Sequence, residues 1–224
     1  SSTGNMLVDN PKVLKEIFTN TDIVIAVHCE DEAIIKENLE RAKSKYGKNI
    51  PIDQHPIIRN EKACYISSSK AVALAKETGA RLHVFHLSTA KELSLFRNDI
   101  PLIEKKITAE VCIHHLWFSN EDYAAKGTQI KWNPAVKSIQ DRDALWEALN
   151  TDLLDVLATD HSPHTLEEKT DIYTKAPSGG PLVQHALPAL LTAYHQKRIS
   201  LEKIVEKACH SPAVLFDIKD RGYL

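Results

Sequence analysis

The sequence predicts an α/β fold, a TIM-type (β/α) barrel of which this chain carries the C-terminal half or more. Three observations predict it. Short apolar runs alternate along the chain with segments of helical periodicity. The apolar runs are continuous rather than alternating, as strands of a parallel sheet covered on both faces are. Three of those runs, in residues 23–30, 82–89 and 156–164, end in side chains that could bind a metal: His28, His86 and Asp160. Such barrels carry their chemistry at the carboxyl ends of their strands.

Taken in order, Asn10 is a candidate cap for a helix over 11–19 that has Pro11 at its first position. A buried strand follows at 22–27. Residues 31–46 read as a helix with Ile35, Leu39 and Ala42 on one stripe, and 47–56 as a loop rich in breakers. A helix over 60–78 is stopped by Gly79, and 81–87 is the next strand. Thr89-Ala90-Lys91-Glu92 has the form of a capping box, so a helix carrying Leu93 and Phe96 inward is expected at once. Residues 107–113 are a strand ending in His114-His115, and 129–132 a short extended piece before Asn133-Pro134. Ser138 and Asp141 form a second box opening a helix to about 149. The last strand is 155–159. The irregular stretch 161–181 has the length of an active-site lid or binding loop. Helices follow at 184–197, with Leu187, Leu190, Leu191 and Tyr194 on one face, at 201–208, and from Pro212.

Four strands in 224 residues fall short of a complete eight-stranded barrel, which takes about 250 residues. The chain starts without methionine and stops where 220–224 suggest a turn into another strand. The expectation is a single catalytic barrel domain over 1–224, partial, with its first strands missing. Composition is ordinary for a globular protein, 43% hydrophobic and 26% charged with a net charge of -2. No basic block suits nucleic acid, and no apolar run is long enough to span a bilayer. Cys29, Cys64, Cys112 and Cys209 show no paired spacing and read as reduced thiols of a cytoplasmic protein.

Alternate strand residues share a face, which lets His28, His86 and Asp160 converge at one barrel mouth. A lone strand histidine is ordinarily a hydrogen-bonded core residue; three candidate ligands at equivalent strand ends are not so easily dismissed. Imidazole and carboxylate suit zinc, which in catalytic sites keeps an open position for a water whose pKa it lowers toward ~7. Asp160 has a second candidate role, as the general base that takes the water's proton and returns it to the leaving group. His164 could donate to a substrate carboxylate, and the Asn133 amide can donate and accept at once. Ser178 and Gly179 could bring bare backbone against a ligand. His114-His115 cannot chelate one ion from a regular strand, and His83 faces away from His86. No serine-nucleophile, dinucleotide or phosphate-loop motif occurs.

These motifs resemble those of dihydroorotase, in its longer class within the amidohydrolase superfamily. They are Val27-His28-Cys29-Glu30-Asp31, Phe85-His86-Leu87-Ser88-Thr89, Trp132-Asn133-Pro134, Ala158 through His164, and Ala176-Pro177-Ser178-Gly179. Ser211-Pro212-Ala213 is similar to that superfamily's helix near the end of the barrel. The resemblance implies a metal-dependent hydrolase, with one or two zinc ions, that interconverts N-carbamoyl-L-aspartate and L-dihydroorotate in pyrimidine synthesis. His28 and His86 would then be ligands of the second metal. Asp160 would be both ligand of the first metal and catalytic acid/base. Asn133, His164, Ser178 and Gly179 would hold the substrate. A homodimer is one expected assembly.

The family's first strand carries a His-x-His pair, and none occurs here. A bridging carboxylated lysine, where the family uses one, would precede Ser1. The chain alone is therefore expected to bind zinc weakly and to be inactive. Alternatives are allantoinase or dihydropyrimidinase, which open related rings, and a non-catalytic scaffold homologue.

Overall fold

The computed structural model describes Val8 and residues 10–221. Four strands, β1 (Ile25–Val27), β2 (Leu82–Val84), β3 (Ile107–Cys112) and β4 (Val156–Ala158), lie in one sheet in the order β1-β2-β3-β4. Every pairing is parallel, with Val27 opposite Val84, Val84 opposite Ala109 and Cys112 opposite Ala158. Sequential parallel strands joined by helical crossovers are the arc of a (β/α) barrel, as the sequence predicts. All four strands are shorter than the apolar runs that encode them, β3 by a single residue. Past their ends His86 and Asp160 take left-handed φ values of 37° and 46°, which breaks the ladder just before the polar side chains.

The helices confirm most of the local signals. In α1 (Pro11–Thr19) the Asn10 side chain accepts from the Lys12 N–H. Asp31 caps α2 (Glu32–Tyr46) by accepting from Ile34. The segment expected as a plain loop at 47–56 instead holds a 3-10 turn (Ile52–Gln54) and α3 (His55–Ile58), with Pro56 in its first turn where its missing N–H leaves nothing unbonded. Asn60 caps α4 (Glu61–Thr78), and Gly79 ends it at φ 75°.

The helix expected after Thr89 is only a 3-10 turn, Lys91–Leu95. Its capping box is half made. The Glu92 N–H donates to Thr89 Oγ1, but the Glu92 carboxylate lies in the core and accepts from the Ser68 and Thr89 hydroxyls. Beyond β3 the chain enters α5 (Ile113–Trp117) directly, so His114 and His115 ride on a helix rather than on a strand end. Next come α6 (Tyr123–Lys126) and, in place of the extended piece expected at 129–132, a 3-10 turn, Gly127–Ile130. The second capping box is complete: Ser138 and Asp141 bond reciprocally at the start of α7 (Ile139–Asn150).

The irregular stretch 161–181 contains one short helix, α8 (Leu166–Lys169). In α9 (Val183–His195) only Leu190 of the predicted apolar face is buried; Leu187, Leu191 and Tyr194 are exposed. α10 (Leu201–Val205) runs through a π-helical turn, Glu206–His210, into α11 (Ser211–Leu215). Of the turn expected at 220–224, residues 222–224 lie outside those described.

One core joins these layers. Leu82, Val84, Ala109, Val111 and Leu157 of the strands pack against Val72 of α4, Leu145 and Leu149 of α7, and Leu190 of α9. Each such aliphatic side chain contributes about 1.5–3 kcal/mol by burial. That rigid sheet carries the polar residues at its carboxyl edge.

Candidate functional site

His28 follows β1 and His86 follows β2. The two strands are neighbours in the sheet, so the two rings meet. His28 Nδ1 lies 3.0 Å from His86 Nε2, and the rings stand edge to face at 77°. His86 is buried and its Nδ1 has no partner. Burial pushes its pKa well below the ordinary imidazole value, and the neighbouring His28 adds to the shift. On its far side, His28 Nε2 lies 3.0 Å from Glu30 Oε2. The same carboxylate oxygen accepts from Arg59, the residue that ends α3. Burial alone would raise the Glu30 pKa. The His28 hydrogen bond and the Arg59 charge outweigh it and hold the carboxyl at about 2.

Asp160 follows β4 at the exposed rim of the sheet. Partial desolvation and the negative charge of Glu110 push its carboxyl up, and His28 draws it back down. Glu110 itself comes from β3, with Oε2 3.1 Å from His83 Nε2, and its Oε1 accepts from the His86 N–H. Hydrogen bonds thus link polar groups from β1, β2 and β3, and Asp160 feels the charges of Glu110 and His28.

The residues can be tested for fit to a zinc ion. Two nitrogens each about 2.1 Å from a tetrahedral ion lie roughly 3.4 Å apart. The 3.0 Å between His28 Nδ1 and His86 Nε2 is close to that span, and the orphaned buried Nδ1 of His86 leaves its proton location open. The pair fits two adjacent ligand positions. Among the described residues no group of three His, Cys, Asp or Glu gathers as a metal-holding cluster. Asp160 therefore sits within electrostatic reach of the pair without completing it.

Of the predicted substrate contacts, Asn133 and Ser178 touch each other, and His164 and Gly179 line one cavity. Ser178 Oγ donates to Asn133 Oδ1 at 3.1 Å, and the Gly179 N–H donates to the Lys131 carbonyl. Asn133 precedes a cis peptide bond to Pro134. Gly179 has φ 131°, and a Cβ there would lie 2.5 Å from the Ser162 carbonyl oxygen. A Cβ at Gly180 would lie 2.6 Å from the Trp132 ring. Both glycines are therefore demanded by close approach. His164 and Gly179 line a mostly apolar cavity of about 630 Å³ with His114, Trp117, Phe118 and Trp132. His164 Nδ1 stands 3.6 Å from Glu168 of α8.

Sequence reasoning missed the residues that brace this loop. Buried Lys131 donates to the carbonyls of Tyr173 and Ala176. Buried Lys169 donates to those of Lys131, Pro177 and Gly179. Buried lysines satisfied by backbone carbonyls and aromatic faces leave no charge pattern in the sequence to find. Glu30 was legible, being two residues from His28 in one motif; Arg59, reached only through the fold, was not. His83 is buried against Thr108 and Glu110, away from the histidine pair. His114 stacks on Trp132, and neither of its ring nitrogens has a partner. His115 Nε2 contacts the Pro134 carbonyl oxygen.

Comparison with known proteins extends this picture. No family model matches the chain. A dihydroorotase of Halobacterium salinarum is 32% identical over 225 aligned positions, covering 100% of this chain and 50% of that protein. A dihydroorotase of Methanosphaera stadtmanae is 31% identical, covering 94% and 49%. One of Staphylococcus epidermidis is 34% identical, covering 87% and 44%. The chain spans about half the length of the curated relatives it matches. Among solved structures, the L-hydantoinase (dihydropyrimidinase) of Arthrobacter aurescens superposes with a TM-score of 0.88 at 29% identity, over all of this chain and 51% of that one. The dihydropyrimidinase of Brevibacillus agri has the same fold, with a TM-score of 0.84 at 22% identity.

Proposed function

The chain belongs to the dihydroorotase family, and on that premise we propose that the protein containing it is a zinc-dependent cyclic amide hydrolase. Its reaction is the interconversion of L-dihydroorotate and N-carbamoyl-L-aspartate in de novo pyrimidine synthesis. Residues 1–224 form part of its catalytic barrel domain. The observation that carries the reading is the pairing of His28 Nδ1 and His86 Nε2 at 3.0 Å, on adjacent strand ends, beside the Asp160 carboxylate.

In this reading His28 and His86 hold one zinc, and Asp160 belongs to the ligand set of a neighbouring one. Zinc bound there would polarise the ring amide carbonyl and make hydroxide available at neutral pH. Asp160 takes up the proton of the attacking water and delivers it to the amide nitrogen as the C–N bond breaks. Asn133 and the backbone at Ser178 and Gly179 orient the ring amide, and His164 donates to the substrate carboxylate.

The 224 residues contain no His-x-His pair. Full turnover then requires ligands supplied from outside this chain, so the chain alone is expected to bind zinc weakly and to turn over little or nothing. The reading includes a cytoplasmic protein acting as a homodimer. The test is a side-by-side assay on dihydroorotate, allantoin and dihydrouracil, run on this chain and on the longest polypeptide that contains it. Preference for dihydroorotate in the longer polypeptide supports the reading. Preference for either other ring would replace it by allantoinase or dihydropyrimidinase chemistry. A longer polypeptide free of zinc and inactive on all three would point to a scaffold, and robust dihydroorotate turnover by the 224 residues alone would overturn the expected dependence on outside ligands.

A further inference from the structure

We propose that Glu30, held by Arg59, is a positioning residue that fixes His28 as its Nε2–H tautomer and so aims the Nδ1 lone pair at the space shared with His86. The inference rests on the metal-site reading above and adds to it a device outside the ligand set. The Glu30 side chain is completely buried and lies against the Arg59 guanidinium. A buried carboxylate is tolerated only when its charge is matched and its oxygens accept hydrogen bonds. Arg59 matches the charge from the end of α3, and the Glu30 oxygen that accepts from it also faces His28 Nε2 at 3.0 Å.

The chemistry of the pair then determines where the proton sits. An ionised carboxylate can only accept. The nitrogen facing it must therefore be the N–H of the neutral imidazole, and Nδ1 is left bare. Nδ1 is the nitrogen that lies 3.0 Å from His86 Nε2. The hydrogen bond from the far side also holds the ring plane, since a rotation of the imidazole would break it. A histidine ligand whose other N–H is held by a carboxylate binds metal tighter, typically by 10–100-fold, because the correct tautomer and orientation are set in advance. Arg59 has a separate part: by neutralising Glu30 it keeps the carboxylate ionised, and therefore an acceptor, in a buried site.

The geometry distinguishes this role from simple packing. Both Glu30 contacts, to His28 Nε2 and to Arg59, fall on the one oxygen Oε2, so the guanidinium and the imidazole share a single acceptor. Its position two residues past His28, on the same turn out of β1, ties it to that ring whatever the rest of the site does.

The test reads the tautomer directly on the full 224-residue chain, free of metal. Long-range proton–nitrogen correlation of 15N-histidine-labelled protein, with His28 assigned through His28→Gln, is expected to show His28 as the Nε2–H form. Glu30→Gln is expected to convert that single form into a mixture, and to weaken cobalt(II) binding by 10–100-fold in an absorbance titration. Arg59→Lys, which keeps the charge, is expected to retain the tautomer. A wild-type His28 in the Nδ1–H form would overturn the inference. So would an unchanged tautomer and cobalt affinity in Glu30→Gln. Failure of the ring-opening assay would leave this result untouched, so the two readings fall separately.

Discussion

At the scale of single residues, the site depends on a few side chains whose surroundings decide their protonation. Asp160 is the proton carrier of the proposed reaction. Asp160→Asn in a catalytically competent polypeptide is expected to lower turnover by about 10²–10⁴-fold, the usual contribution of a positioned acid/base. Steady-state kinetics with dihydroorotate checks it, and a loss below tenfold would remove Asp160 from that role. Gly180 makes a different kind of prediction. A Cβ there would meet the Trp132 ring at 2.6 Å, and Trp132 is buried under His114. Gly180→Ala is expected to destabilise the fold by about 1–3 kcal/mol, the ordinary cost of overpacking. Urea denaturation measures it; a neutral result would mean the loop yields at that point.

At the scale of elements, the segment 161–181 is the part most dependent on buried polar groups. Lys169 reaches three backbone carbonyls, two of them in the turn that carries Ser178 and Gly179. Replacing it with methionine keeps much of the apolar stem but leaves those carbonyls without their donor. Lys169→Met is expected to cost on the order of 3 kcal/mol, from several charge-assisted hydrogen bonds lost together. It should also speed proteolytic cleavage within 161–181 relative to cleavage elsewhere. Equal cleavage of variant and wild type would show that the loop is held by its apolar contacts instead. The short strands teach a related lesson. An apolar run marks a strand, yet the ladder stops short of its polar end, and His86 and Asp160 there take a left-handed backbone. Strand alternation alone would have aimed these side chains differently.

At the scale of the whole molecule, buried neutral histidines couple folding to pH. Burial lowers His55 to about 3, although its bond to the Trp132 carbonyl opposes the shift. Burial and the Lys137 charge lower His115 to about 3 as well. Both values lie below the unfolded imidazole pKa of about 6.5. Between those limits the unfolded chain binds more protons than the folded one. The stability from keeping these rings neutral is therefore complete above about pH 6.5 and lost as pH falls toward about 3. The urea midpoint is expected to drop steadily from pH 7 to pH 5, and to drop less in His55→Gln. A midpoint flat across that range would contradict the shifts.

The local code in this chain was legible where the signal is local. The caps at Asn10 and Ser138 and the stop at Gly79 follow from a few neighbouring residues and the backbone groups they satisfy. Thr89 shows the limit, because its partner Glu92 is drawn into the core by Ser68, a residue two dozen positions away. The candidate ligands His28 and His86 were readable as strand ends, because parallel strands deliver their last residues to one edge. Their approach to 3.0 Å, the carboxylate and guanidinium behind His28, and the two lysines under the loop come from packing. Contacts between residues far apart in the chain depend on register and crossover geometry, which no stretch of sequence encodes by itself. Asp160 stands between the two cases: its motif marked a candidate strand end, and the fold leaves it within electrostatic reach of His28 without gathering the three into one cluster.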